Sequence, residues 1–430
     1  MLELIDGRDQ RTPVHIARPR ALSGGGDPED AVRAIVDDVR LRGDEAVLHY
    51  TQTFDKADLT ADRIPVDPDE LAAAVKLVPP ELIDALEVMA ARLRRTCERQ
   101  FETEWREESP DESIGELVRP LRRVGIYVPG GRAAYPSSVI MAAVPAQVAG
   151  VEGLAIASPP GPHGEIAEPV LAACSVAGIT EVYRMGGAQA IAALAYGTST
   201  VRPVDKIVGP GNIFVTRAKR MVQGWVGIDS EAGPTEIAII ADENATPAVI
   251  AADLIAQAEH GPLGTHVLIT WSEELIEQVD TALEAAVQTH ERTDDVENAL
   301  IEGGRAVLVR DRDHAIETAN AFAAEHLELL FEGARAVLPS IRNAGAVFVG
   351  PYSPVSVGDY VAGTDHVLPS SGTARWASGL SVRDFTKTIY VCDLERPALE
   401  RLAPHVEALA QAEGLRAHSR AVTLRLDPER

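Results

Sequence analysis

The chain has 430 residues, 46% of them hydrophobic and 24% charged, proportions that are typical of a globular protein with more than one core. Its formal net charge of -25 argues against binding to nucleic acid or to an anionic membrane surface. Its three scattered cysteines suggest neither a disulfide framework nor a zinc-binding cysteine pair. No apolar run is long enough to span a membrane, and the N-terminus lacks the pattern of a signal peptide. We therefore expect a cytoplasmic protein in which nitrogen and oxygen atoms hold any metal ion.

The first 119 residues are predicted to form a mainly helical, strongly charged arm. Helical spacing with many Glu and Arg residues runs over Pro28–Arg42 and over Pro68–Arg106, and Pro79 and Pro80 break the second stretch. No motif with catalytic or binding chemistry occurs here. The arm is interpreted as a scaffold or as a surface between subunits.

Between residues 122 and 222, a strand, a glycine-rich turn and a helix follow one another repeatedly, as in VGIYVPGG, EVYRMGG and DKIVGPGN. Such βαβ units predict a parallel sheet. Ligands of parallel sheets bind beyond the carboxyl ends of the strands, where we expect Tyr127, Gln189 and Asn212. None of the turns has the GxGxxG spacing of a dinucleotide-binding fingerprint. The turns therefore serve either a nucleotide or tight packing.

A second α/β alternation predicts a second, similar half of the protein. The predicted strands are Thr235–Asp242, His266–Trp271, Arg305–Arg310 and Gly345–Gly350. The predicted helices are Thr246–His260, Glu273–Glu291 and Asp313–Leu330.

The last part of the chain is predicted to be a loop, a helix and a strand. The loop covers Pro351–Gly379, the helix Leu394–Glu413 and the strand Ala421–Leu426. Because a strand at the terminus needs a partner sheet, the tail is expected to dock elsewhere, for example on another subunit.

The stretch TPAVIAADLIAQAEHGP predicts the central amphipathic helix of the second half. Thr246 is a suitable N-cap with Pro247 in the first helical position, and Gly261 with Pro262 is expected to end the helix. Its apolar positions, Ile250, Leu254 and Ala258, predict a face that packs on a core. On another face, Asp253, Gln257 and His260 follow one another at helical spacing. That face is either solvated or half of a metal site.

Other polar residues could complete a site. Glu325 and His326 are adjacent, and in the predicted helix they would border one cleft and share proton transfer. Alternatively, the two residues only form the polar side of that helix. Asp359 and His366 lie in a glycine-rich loop, and His418 follows the last predicted helix. Together with Gln257 and His260, Asp359 and His418 make a zinc-like set of nitrogen and oxygen ligands, although Gln is a poor zinc ligand on general grounds.

The chain resembles the histidinol dehydrogenases over nearly its whole length. The resemblance rests on motifs that occur in the same order, namely YVPGGRAAYPSSV, MGGAQAIAALAYGT, DKIVGPGN, DLIAQAEHGP, EHLEL and GTDHVLPSSGTARWASGLSVRDFTK. It implies the oxidation of L-histidinol to L-histidine with two NAD and a bound zinc, in histidine biosynthesis.

The resemblance also implies a role for each matching residue. The zinc ligands would be Gln257, His260, Asp359 and His418; the proton-transfer pair would be Glu325 and His326; and NAD would contact Tyr127, Gln189 and Asn212. The substrate would contact Thr235, Gln257, His260, His326, Asp359, His366, Glu413 and His418. Three positions depart from the usual family pattern without removing a functional group: Thr235 for Ser, Ala324 for Pro and Asp365 for Asn.

The implied fold class is α/β, with two incomplete Rossmann-like domains. The expected parts are the helical arm 1–119, an NAD-side domain 120–232, a domain 233–378 with the zinc and catalytic residues, and a tail 379–430. The resemblance implies a homodimer in which the tails are exchanged, so that the partner supplies His418, with one zinc per subunit.

Three other functions stay open at this point. The chain could oxidise another polar alcohol with NAD and zinc, or it could be a zinc hydrolase in which Glu325 activates water. It could also be a non-catalytic acidic scaffold.

Overall fold

The computed structural model describes residues 1–19, 28–130, 134–231 and 233–428. The strands, in chain order, are β1 (Glu3–Asp6), β2 (Trp105–Ser109), β3 (Glu112–Pro120), β4 (Arg123–Tyr127), β5 (Gly153–Ser158), β6 (Glu181–Arg184), β7 (Lys206–Val208), β8 (Gly227–Ile228), β9 (Glu236–Ala241), β10 (Thr265–Thr270), β11 (Gly304–Leu308), β12 (His326–Leu330), β13 (Ala346–Val349) and β14 (Thr386–Leu394).

The α-helices are α1 (Glu29–Arg42), α2 (Asp44–Tyr50), α3 (Pro68–Ala74), α4 (Pro80–Cys97), α5 (Pro136–Ala149), α6 (Glu168–Val176), α7 (Gly187–Tyr196), α8 (Ile213–Val222), α9 (Pro247–Ala258), α10 (Glu273–Val287), α11 (Thr293–Gly303), α12 (Arg312–Phe322), α13 (Val355–Tyr360), α14 (Arg396–Ala412) and α15 (Arg416–Leu426). A short π-helical turn covers Thr51–Asp55, and 3₁₀ turns cover Ala61–Arg63, Ala334–Ser340, Thr373–Arg375 and Val382–Phe385.

The first half of the fold is a five-stranded parallel sheet in the order β6-β5-β4-β7-β8. One face packs on α4, α5 and α6, and the other on α1, α7 and α8. Helix α5 is buried along almost its whole length, which fits its weakly charged sequence. The predicted parallel sheet with glycine-rich turns is confirmed here.

The second half is a six-stranded parallel sheet in the order β1-β11-β10-β9-β12-β13. The central strands β9 and β10 are buried at every position, because helices cover both faces of the sheet. Helices α9, α10 and α11 lie on one face, and α12 lies on the other. The predicted α/β class with two parallel-sheet halves is therefore confirmed, whereas the exact domain boundaries stay a prediction.

A third, antiparallel sheet has the order β14-β3-β2. It joins residues 105–120 to residues 386–394, since β14 pairs with β3 along nine positions. No helix among the described residues is long and apolar enough to cross a membrane.

The prediction that the first 119 residues are mainly helical is wrong at two places. β1 is the edge strand of the six-stranded sheet, and residues 105–120 form the hairpin of β2 and β3 instead of continuing a helix. Both segments are rich in charged residues because they lie at exposed edges, and charge of this kind is also typical of the exposed face of a helix. The helices at 29–42, 68–74 and 80–97 are confirmed, including the break at Pro79 and Pro80.

The helix predicted over Asp313–Leu330 is also wrong in its second part. The α12 helix ends at Phe322, and Ala323 takes a left-handed conformation with φ 54°. The following His326–Leu330 is β12, which lies between β9 and β13. A strand buried on both faces shows no alternation of apolar and polar residues, so periodicity did not separate it from a helix.

Two predictions in the last part of the chain are wrong as well. The region Pro351–Gly379 is not all loop, since it contains α13. The predicted terminal strand Ala421–Leu426 is the end of α15, which packs on α14 after a left-handed Gly414. The strand of this region is β14, which the sequence analysis missed. Helix α14 itself was predicted correctly.

Candidate active site

A cavity of about 930 Å³ opens at the carboxyl ends of the five-stranded sheet, and Tyr127, Gln189 and Asn212 line it. Tyr127 ends β4, Gln189 lies in the first turn of α7, and Asn212 is the N-cap of α8. The Tyr127 hydroxyl accepts a hydrogen bond from the Gly187 N–H at 3.1 Å. Asn212 Oδ1 accepts two from backbone N–H groups of α8, at 3.0 and 3.2 Å. The structure thus brings the three predicted residues together, and NAD binding to them stays a prediction.

Two buried acceptor atoms in this cavity lack a partner among the described residues: Oε1 of Gln189 and Oδ2 of Asp55. Burial raises the pKa of Asp55 to about 6. Unpartnered acceptors in a concave, largely apolar site are groups that a ligand with hydroxyl or amide donors would satisfy. Asp55 was not among the predicted site residues, because it lies in the arm, on the π-helical turn after α2, and no motif marks it.

A second cluster of polar side chains lies at the amino ends of β9 and β12. Glu325 directly precedes β12, His326 is its first residue, and Thr235 directly precedes β9. Glu325 Oε2 accepts hydrogen bonds from the Thr235 hydroxyl and from the Glu236 N–H, each at 2.9 Å. Gln257, near the end of α9, donates to the same hydroxyl through Nε2. Thr235 therefore links Glu325 to Gln257.

The His326 ring is held from both sides. Its Nδ1 lies 2.9 Å from the carbonyl oxygen of Glu236, 3.4 Å from Gln257 Nε2 and 3.8 Å from Glu325 Oε2. On the other side, Nε2 lies 3.6 Å from Asp359 Oδ1, which is an ion-pair distance and too long for a hydrogen bond. Because Nδ1 bonds to a carbonyl oxygen, Nδ1 carries the proton of the neutral ring and Nε2 is the basic atom.

The charges of the cluster shift the pKa values of its acid and base. Burial opposes the charged form of His326, but Asp359 and Glu325 outweigh it and raise the pKa of His326 to about 9. Burial raises the pKa of Glu325, although His326 and the hydrogen bonds from Glu236 and Thr235 act in the opposite direction. A cation on Asp359 would cancel part of that negative charge and return the imidazole toward its ordinary pKa, where it acts as a base.

Helix α9 presents the predicted polar face to this cluster. Its N-cap is Thr246, and its predicted core positions are buried. Gln257 is buried, whereas His260 is exposed just beyond the end of the helix. The helix ends at Ala258 and not at Gly261, whose φ is 140°.

Helix α13 supplies Asp359, and the chain after it returns to bring His366 close. The Nδ1 atom of His366 lies 2.9 Å from the Asp359 carbonyl oxygen. Burial lowers the pKa of His366, and the charges of His326 and His260 act in the same direction, which places both imidazoles nearby. Asp359, His366, His326 and His260 thus belong to one neighbourhood.

Glu413 and His418 are not part of this neighbourhood within one chain. Glu413 follows α14, and His418 lies on α15 with an exposed side chain. Among the described residues, no hydrogen bond or ion pair joins either side chain to the cluster. The described chain accordingly contains no group of three or more His, Cys, Asp or Glu side chains that could hold a metal ion.

The remaining predicted ligands carry nitrogen and oxygen donor atoms that suit a divalent cation. Since Nε2 of Gln257 donates to Thr235, its amide oxygen is left for a ligand. Asp359 and His260 add one carboxylate and one imidazole, and the charges of both act on His366. The buried Nε2 of His326 has no hydrogen-bond partner among the described residues. Nitrogen and oxygen donors of this kind suit zinc and similar ions, and one further ligand would complete a four-coordinate site.

The two neighbourhoods lie next to each other. Tyr360 follows Asp359 in α13, and the charge of Tyr135 influences it. Ala134, beside Tyr135, lines the 930 Å³ cavity. The glycine pair of the motif YVPGGRAAYPSSV lies partly outside the described residues, at Gly131.

Comparison with known proteins identifies the family. The family model described as histidinol dehydrogenase matches residues 20–426. The chain is 48% identical to a histidinol dehydrogenase of Synechococcus sp. over 92% of each chain. It is 46% identical to that of Thermobifida fusca over 100% of this chain and 98% of the relative.

The chain belongs to the histidinol dehydrogenase family. The crystal structure of a histidinol dehydrogenase from Elizabethkingia anophelis matches it with a TM-score of 0.91 and 35% identity, over 99% of this chain and 98% of that one. The family that the sequence motifs indicated is therefore confirmed, and so is the α/β fold. The histidinol dehydrogenase relatives are dehydrogenases by name, which favours oxidoreductase chemistry over the hydrolase and scaffold alternatives.

Proposed function

We propose that the chain oxidises L-histidinol to L-histidine with NAD and zinc, as a step of histidine biosynthesis in the cytoplasm. The observation that supports this most is the convergence of Gln257, His326 and Asp359 around the amino ends of β9 and β12, in a member of this family. Two oxidations through the aldehyde consume two NAD and one water molecule.

In this proposal, His326 and Glu325 carry out the proton transfers. His326 Nε2 takes the proton of the alcohol as hydride leaves its carbon, and the ring serves again in the second oxidation. Glu325 removes a proton from the water that hydrates the aldehyde. The hydrogen bonds from Thr235 and from the Glu236 N–H orient the Glu325 carboxylate for this step.

Gln257, His260 and Asp359 would hold zinc, with His418 as the fourth ligand. Zinc, when bound, would act as a Lewis acid that holds the imidazole and amine of the substrate. Fixing a substrate in this way supplies roughly 7–11 kcal/mol in favourable cases. His366 and Thr235 are proposed to contact the substrate as well.

NAD would bind in the 930 Å³ cavity, in contact with Tyr127, Gln189 and Asn212. The position of these residues at the carboxyl ends of parallel strands is the usual place for a nucleotide in such sheets.

We propose a homodimer with exchanged tails, in which the partner subunit supplies the fourth ligand and the contact of Glu413 to the substrate. The exposed side chains of Glu413 and His418, which make no hydrogen bond or ion pair with the cluster among the described residues, support this.

The test of the reaction is a steady-state assay of the purified, zinc-loaded protein with L-histidinol, in which NADH is followed by its absorbance. We expect two NADH for each histidine formed, and loss of activity after zinc is removed with a chelator. Assays with another polar alcohol in place of histidinol and with NADP in place of NAD are the controls. No NADH from histidinol would overturn the proposal.

A further inference from the structure

Glu328 is a fully buried carboxyl group that the proposed reaction does not use. It lies on β12, two residues after His326, and therefore on the same face of the sheet. Its Oε1 accepts a hydrogen bond from the N–H of Val355, the first residue of α13, at 3.0 Å. Glu328 thus connects the strand of the proposed base to the helix that carries Asp359.

A second carboxyl group lies beside that of Glu328. Oε2 of Glu328 is buried and has no donor among the described residues. The side chain of Asp253 on α9 interacts with the Glu328 carboxyl group as a hydrogen-bonding neighbour. Two carboxyl groups can form such a bond only if one of them carries a proton, because two buried negative charges side by side repel each other strongly.

The spacing of the two elements explains why this pair lies beside the site. Asp253 and Gln257 are four residues apart on α9, a rise of about 6 Å, and His326 and Glu328 are two residues apart on β12, about 6.6 Å. Gln257 lies next to His326, and Asp253 interacts with Glu328. The two polar pairs therefore have nearly the same spacing along the helix and along the strand.

The groups around Glu328 are few. Burial and then the charge of Asp253 raise the pKa of Glu328 to about 8, and His326 acts in the opposite direction. Burial also raises the pKa of Asp253. The neighbouring strands place Ile239 and Phe348 beside Glu328, both apolar. Among the described residues, the titratable groups that act on Glu328 are therefore Asp253 and His326.

We propose that Glu328 and Asp253 share one proton and that this pair is a positioning device for the active site. It holds α9 and α13 on β12, and so fixes Gln257 and His260 relative to Asp359 and His326. The role in zinc binding rests on the proposed function, whereas the shared proton rests on the burial of Glu328 and its interaction with Asp253.

The shared proton is tested by the pH dependence of unfolding of the metal-free protein. The folded chain holds the proton with a pKa of about 8, and the ordinary value for Glu is 4.5. The free energy of unfolding of the wild type should therefore fall as pH rises from about 4.5 to about 8. Glu328→Gln keeps a donor for Asp253 and an acceptor for Val355 without a titrating proton, and should lack this fall. The exposed Glu277→Gln is the matched control and should keep it. The same pH dependence in Glu328→Gln and the wild type would overturn the shared proton.

The positioning role is tested by zinc affinity, measured by competition with a chelator, and by kcat/KM with histidinol. Glu328→Gln should stay near the wild type at pH 7, whereas Glu328→Met, which can make neither hydrogen bond, should lose about 10–100-fold in zinc affinity. If Glu328→Met does not fold, Asp253→Ala tests the same link from the partly exposed helix, with Asp253→Asn as its conservative partner. Unchanged zinc affinity in Glu328→Met or Asp253→Ala would overturn the role. If the wild type fails to oxidise histidinol, the proposed function fails, while the unfolding comparison still decides the pair.

Discussion

The Thr235 hydroxyl group accepts a hydrogen bond from Gln257 and donates one to Glu325 at 2.9 Å. One small side chain thus orients a proposed zinc ligand and a proposed catalytic carboxylate. The methyl group that distinguishes Thr from the usual Ser does not take part in either bond.

Thr235→Ser should therefore keep kcat within a few-fold of the wild type. Thr235→Val, which has the same shape without the hydroxyl, should lower kcat/KM by roughly 5–150-fold, because it leaves two buried polar groups without a partner, at about 1–3 kcal/mol. Steady-state kinetics of both variants make the comparison. Equal kinetics of Val and Ser variants would show that the bridge has no role in turnover.

His326 is the residue whose replacement separates chemistry from metal binding. His326→Asn should lower kcat by about 10²–10⁴-fold, since proton transfer loses its base, while zinc content stays at the wild-type level. Metal analysis and NADH formation measure the two effects. The exposed His49→Asn is the control and should behave as the wild type. Unchanged turnover in His326→Asn would refute the assignment.

At the scale of single elements, the turn between β7 and α8 is held by a buried ion pair of Lys219 and Asp229. Asp229 Oδ2 accepts from the Gly209 N–H at 2.8 Å, and Lys219 Nζ donates to the Gly209 carbonyl oxygen at 3.0 Å. Only glycine fits at position 209, because its φ is 110° and a Cβ atom would lie 2.2 Å from the Tyr127 carbonyl oxygen. The pair thereby fixes the turn that leads to Asn212.

Asp229→Asn should destabilise the protein by about 3–5 kcal/mol, because it leaves the Lys219 charge buried without its partner. It should also weaken NAD binding through the turn. Urea unfolding and NAD titration are the measurements. The double variant Lys219→Met/Asp229→Asn should lose less stability than Asp229→Asn alone. A double variant that is less stable than the single one would contradict this reason for the loss.

The two parallel sheets differ in whether their polar residues follow the rule that ligands bind beyond the carboxyl ends of the strands. The cavity with Tyr127 lies at the carboxyl ends of its sheet, as the rule predicts. The cluster with His326 lies at the amino ends of the other sheet, where Thr235 and Glu325 immediately precede their strands. Opposite strand ends of the two sheets therefore contribute different parts of the proposed site.

At the scale of the whole molecule, the proposed site is complete only in a dimer, and mixed dimers test this. His326→Asn and His418→Ala should each be nearly inactive alone. Co-expressed, they should recover roughly a quarter of wild-type activity, because random pairing gives dimers in which one of the two shared sites has no substitution. Separately purified variants, mixed without subunit exchange, are the control. No recovery in dimers shown to contain both chains would mean that the partner does not supply His418.

The order of residues along the chain is enough to predict the family, the two parallel sheets and most polar residues of the candidate site. Apolar strands followed by glycine-rich turns, and motifs such as DLIAQAEHGP, are local signals that a single chain carries in its residue order. The α9 helix with Gln257 and His260 was predicted from its cap and its period alone.

Where burial on both sides removes the periodic signal, contacts between distant segments determine whether a helix or a strand forms. The sequence of β12 predicts a helix because both faces of this strand are buried, and the sequence of α15 predicts a strand although the segment is a helix that packs on α14. The pairing of Glu328 with Asp253 and the placement of Asp55 in the cavity depend on contacts between distant segments. Such contacts follow from the packing of helices on sheets, and no spacing along the chain encodes them.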